Sequence, residues 1–81
     1  MRESEIIEAI EKSVRYYSVW TIGVTDDPKR RRGEHSNPEY WYDWKADTET
    51  IARNVEKHFL DKGMKGATGG GEYPTYVYIF L

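Results

Sequence analysis

At 81 residues the chain suits one small domain, which on folding removes only about 60% of its unfolded surface from water and so needs a tightly filled core. Twelve basic residues against 14 acidic ones give a formal net charge of -2, which argues against a broadly basic nucleic-acid binder. The absence of cysteine excludes disulfides and thiolate metal sites, and with no apolar run long enough for a signal peptide or a membrane span, the expectation is a soluble cytoplasmic protein with no membrane partner.

Ile6, Ile7, Ile10 and Val14 recur at helical spacing, so residues 3–15 are predicted to form an amphipathic helix. Residues 16–25 are rich in aromatic and β-branched side chains and read as a strand, with Tyr17, Val19, Thr21 and Gly23 on one face. Asp26 or Asp27 caps a short helix over 28–35, with Pro28 in its first turn where a missing N–H costs nothing. Ser36-Asn37-Pro38 breaks the chain, and the aromatic run 39–45 reads as a short strand.

Asp47 is placed as the cap of a helix over 48–62, whose apolar face carries Ile51, Ala52, Val55, Phe59 and Leu60, with Gly63 as its left-handed stop. Five glycines between 63 and 71 read as a loop. A phosphate-cradling P-loop is the wrong reading there, because a helix precedes these glycines and a strand follows them. Residues 73–81 end in an apolar run that marks an inner strand, expected to pair with the strand at 17–24. The fold class expected is α+β: one domain over 1–81, a mainly antiparallel three-stranded sheet packed with three helices.

The basic run Lys29, Arg30, Arg31 and Arg32 wraps one turn of the second helix, which predicts a small, salt-sensitive phosphate-docking patch on an acidic body. With the preceding strand it carries a resemblance. The stretch Thr21-Ile22-Gly23-Val24-Thr25, a polar turn, then Arg31 and His35, resembles the core of a GIY-YIG nuclease domain over residues 19–60. In that family a strand bearing Tyr-Ile-Gly or Tyr-Val-Gly is followed by a threonine, a polar turn and a helix whose arginine and histidine reach back over the sheet. Gly23, Thr25, Arg31 and His35 fall where the pattern places them, and Ala52 and Glu56 reproduce the alanine-to-glutamate spacing on its later helix.

The resemblance implies that Glu56 binds a divalent metal, Mg or Mn, that Arg31 stabilises the scissile phosphate, and that a strand tyrosine helps activate water. Two features depart from it. Residues 3–15 read as helix and leave no room for the upstream Gly-Ile-Tyr strand, which would make this helix an addition to the family's domain. Thr21 replaces the second tyrosine with a shorter hydroxyl, far less acidic than a phenol near pKa ~10. If the terminal strand pairs beside Thr21, Tyr76 or Tyr78 restores a phenol from the opposite end of the chain.

Each residue also has a plainer reading. Arg31 can belong to a solvated helix face, His35 can complement the helix dipole, and Glu56 can pair with a surface cation. Tyr40, Trp41, Tyr42 and Trp44 can stack on bases or simply pack the core and rim. The functional expectation is a degenerate GIY-YIG-like domain that binds phosphate or nucleic acid, DNA or RNA, with little or no cleavage. Its rivals are an active metal-dependent endonuclease with a relocated tyrosine and a protein-interaction module, self-association included.

Overall fold

The computed structural model of the protein describes residues 1–67, 69 and 71–81. The first apolar stripe folds as α1 (Glu3–Ser13), with Ile6 and Ile10 fully buried. Residues 17–19 depart from expectation: they wind into a 3₁₀ turn, and the first strand, β1, spans only Thr21–Thr25. Packing overrides β-propensity here. The turn lays the Tyr17 ring against Phe59, with centroids 5.6 Å apart, and buries Trp20.

Asp27 caps α2 (Pro28–Glu34), its carboxylate accepting the Arg30 amide at 3.1 Å. Ser36 and Asn37, both at positive φ, then reverse the chain into β2 (Trp41–Lys45). Helix α3 (Glu49–Asp61) is capped by Thr48 and not by Asp47, since the Thr48 hydroxyl accepts the Ile51 amide at 3.1 Å. Gly63, at φ 111°, turns the chain after it as expected.

The sheet has four strands and not three, in the order β2-β4-β1-β3, and it is mixed. The fourth strand, β3 (Lys65–Gly66), lies within the glycine-rich stretch and runs parallel to β1. Two residues with no apolar alternation and glycines on both sides carry no strand pattern, so it was invisible to periodicity. Thr68 and Gly70, the remainder of the expected loop's core, lie outside the described residues. The expected pairing of the terminal strand is present: β4 (Tyr76–Phe80) runs antiparallel to β1, with Ile22 opposite Ile79 and Gly23 opposite Tyr78, and its other edge pairs with β2.

This register separates the two faces. Ile22, Val24, Val77 and Ile79 point to one side, where with Ile6, Ile10, Ala52, Val55 and Phe59 they form the hydrophobic core under α1 and α3. Thr21, Gly23, Thr25, Tyr76, Tyr78, Phe80, Trp41 and Asp43 point to the other, toward α2. Among the described residues, no helix is long and apolar enough to cross a membrane.

Candidate functional site

The site grows from one rung of the sheet. Asp43, Tyr78 and Gly23 are register partners across β2, β4 and β1, and a glycine in mid-strand leaves room above the backbone. The Tyr78 ring fills that room. A Cβ at position 23 would overlap its hydroxyl and ring carbons. On the other side the Trp41 indole stacks on Tyr78 with centroids 4.6 Å apart and planes 8° from parallel, and Phe80 continues the stack. Tyr78 is thereby held at 1% exposure, on the face opposite the main core.

Helix α2 supplies the groups that meet its hydroxyl. Arg31 and His35 are one turn apart and share a face. The Arg31 Nε donates to the Tyr78 oxygen at 3.1 Å, and His35 Nε2 lies 3.1 Å from the same oxygen. Burial, and then the Arg31 charge, push the His35 pKa below its ordinary value, so the ring is neutral at neutral pH. In the neutral tautomer that leaves Nε2 bare, the phenol donates to His35 while accepting from Arg31.

Burial raises the Tyr78 pKa, Arg31 opposes the rise, and the Glu56 and Glu34 carboxylates add to it, which keeps the phenol protonated at neutral pH. Arg31 itself is only 17% exposed, bridges to Glu34 at 3.0 Å, and lies against Gly69, where a Cβ would sit 3.5 Å from its Nη2.

Of the expected site residues, then, Arg31, His35 and Tyr78 converge on one oxygen. Glu56 does not join them: it stands on α3, which packs on the core face of the sheet, opposite the face that carries Tyr78, and it acts on Tyr78 only as a minor charge, while burial raises its own carboxyl pKa with Arg53 opposing. Tyr76 sits one rung away, between Thr25 and Lys45, with the Lys45 ammonium 5.8 Å from its ring centroid, so Tyr78 is the tyrosine at the arginine. Thr21 lies at the far end of β1, opposite Phe80.

The four cations of the basic run have different surroundings. Arg30 is held by Asp26 at 2.6 Å and by Glu34 at 3.6 Å, and Arg32 donates to the Pro38 carbonyl at 2.9 Å. Lys29 is exposed beside Trp41 and Asp43. Glu34 is a site residue that sequence reasoning did not single out, and Trp41 was named only within the aromatic cluster of Tyr40, Trp41, Tyr42 and Trp44. Spacing of three from Arg31 was a signal for the first, and only the sheet register could reveal the second.

No protein-family model, curated protein or solved structure matches this chain. The geometry therefore carries the functional reading alone. Among the described residues, no three carboxylate, histidine or cysteine side chains cluster as a metal cage. Glu56 offers one carboxylate, which fits an ion such as magnesium only where phosphate oxygens and waters complete the shell.

Two titrations test these electrostatics. The Glu56 pKa is raised above its ordinary 4.5, so its contribution to stability is present below that value and lost as pH rises through the folded-state pKa. Glu56→Gln should accordingly raise the thermal midpoint at pH 7, with the gain vanishing near pH 4 on thermal scans. His35 has the opposite sign: its pKa is lowered from 6.5, so stability is present above 6.5 and lost as pH falls through the folded-state value. His35→Phe should flatten that acid limb.

Proposed function

We propose that this chain is a degenerate GIY-YIG-like domain that binds the phosphodiester of a nucleic acid at Arg31 and cleaves it slowly or not at all. The observation supporting this reading is the meeting of Arg31 Nε and His35 Nε2 on the Tyr78 hydroxyl, each at 3.1 Å. A guanidinium fixed by a neutral phenol matches phosphate geometry without forfeiting its charge. Glu34 competes for that guanidinium, which limits affinity. Slow cleavage fits the raised pKa of Tyr78, because a buried phenol resists the ionised form that base chemistry requires.

The second reading, a working endonuclease, draws on the Tyr78–His35 contact. Tyr78 passes its proton to His35 Nε2, and the phenolate, stabilised by Arg31, takes a proton from the attacking water. Magnesium or manganese carried by the substrate's phosphate oxygens and waters would supply Lewis-acid stabilisation of the developing charge, and Glu56 would have to reach it from α3 on the other side of the sheet.

Salt dependence tests the binding claim. Wild-type protein should bind a short DNA or RNA strand at low ionic strength, and the affinity should fall steeply as salt rises. Converting Arg30 and Arg31 together to Ala should reduce the slope of log affinity against log salt by about one to two. Absence of binding at low salt would favour the protein-interaction reading, for which Tyr16, Tyr40 and Tyr73, at 67%, 53% and 70% exposure, are the available anchors.

A further inference from the structure

Between the first turn of α2 and β2 lies a pocket of about 350 Å³, lined by Asp27, Pro28, Lys29, Arg32, Trp41 and Asp43. It is distinct from the Arg31–Tyr78 contact but shares a wall with it, because the Trp41 indole that borders the pocket is stacked on Tyr78. Resting on the phosphate-binding reading, we propose that this pocket holds the nucleobase of a nucleotide adjoining the phosphate at Arg31, stacked against Trp41.

Several features fit a base better than a second phosphate or an aliphatic chain. The indole is already fixed, by Tyr78 and Phe80 in its own stack and by donation from its Nε1 to Asp43 at 2.7 Å, so little side-chain freedom is lost when a flat ring stacks on it. Pro28 adds an apolar surface to the same pocket. Asp27 and Asp43 repel a phosphate placed inside, yet they accept hydrogen bonds from the amino and imino N–H groups of a base edge. Lys29 and Arg32 suit the sugar-phosphate at the rim. The volume is at the lower end for small-molecule sites and matches one nucleotide rather than a peptide segment.

The remaining aromatics of β2 do not share this role. Tyr42 and Trp44 alternate to the opposite face, and the Tyr42 ring lies 6.0 Å from Trp20. A base platform on β2 therefore reduces to Trp41.

The test compares two labelled strands at low salt by fluorescence anisotropy: six deoxycytidines, and a strand of equal length whose sites are abasic. The wild-type protein should hold the base-bearing strand about 10-fold more tightly, in line with one stacked base, and Trp41→Leu should bring the ratio to about one. Should the two strands bind wild type equally, with Arg31→Ala weakening both, the pocket proposal is overturned and the phosphate reading stands. If neither strand binds, both fall. A readout independent of any variant is the indole N–H resonance of Trp41, which should move upfield as cytidine 5′-monophosphate is added; an unmoved resonance overturns the proposal.

Discussion

Replacing Gly23 with alanine should destabilise the protein by about 1–3 kcal/mol and break the Arg31–Tyr78–His35 cluster, because the new methyl occupies the space now filled by the Tyr78 hydroxyl. The ring has nowhere to withdraw. Trp41 stacks against it and Phe80 closes the row, so the methyl must displace a side chain that is 1% exposed. Movement of the phenol also separates it from Arg31 and His35.

Gly33 is the internal control. It lies in α2 with nothing within 4 Å of the position its Cβ would take, so Gly33→Ala should stabilise by up to about 1 kcal/mol through helix propensity alone. Denaturant unfolding of both variants checks the pair. Equal effects of the two substitutions would show that Gly23 is an ordinary strand glycine, with no steric duty toward Tyr78. The variant Tyr78→Leu in the Gly23→Ala background should recover part of the loss, since it removes the atoms that collide.

The local rules read well wherever a single element decides the outcome. The stripe of α1, the Asp27 cap, the turn at Gly63 and the shared face of Arg31 and His35 all follow from spacing along one helix or from one residue's backbone preference. What depends on register was less accessible. Tyr76 and Tyr78 have the same parity and looked equivalent, and only the pairing of Gly23 with Tyr78 decides which phenol lies beneath Arg31. Trp41 and Tyr42 are neighbours of similar chemistry, yet alternation places one at the candidate site and the other on the core side.

The basic run is a different case. Lys29, Arg30, Arg31 and Arg32 suggested a patch, but Asp26 and Glu34 stand four residues before and after Arg30 and bridge to it, a pattern already present in the sequence. The positive field that would attract a nucleic acid is correspondingly smaller than the run of four cations implies. For that reason the proposed binding would depend on the fixed geometry at Arg31 more than on long-range attraction.

The same geometry sets the second large expectation, which concerns cleavage. With single- or double-stranded DNA in magnesium or manganese, hydrolysis by the wild-type protein should be slow, and any activity belonging to this site should fall at least ~100-fold in Arg31→Ala, as loss of a preorganised charge stabiliser does. Tyr78→Phe is the sharper variant. It keeps the ring that stacks with Trp41 and removes only the oxygen on which Arg31 and His35 converge, so a comparable loss would assign the proton transfer to that hydroxyl. Glu56→Ala removes the candidate metal carboxylate together with its charge on Tyr78. Wild-type hydrolysis indistinguishable from Glu56→Ala would exclude the nuclease reading. Binding would then be the site's whole function, consistent with a phenol whose pKa burial raises and with an arginine already shared with Glu34.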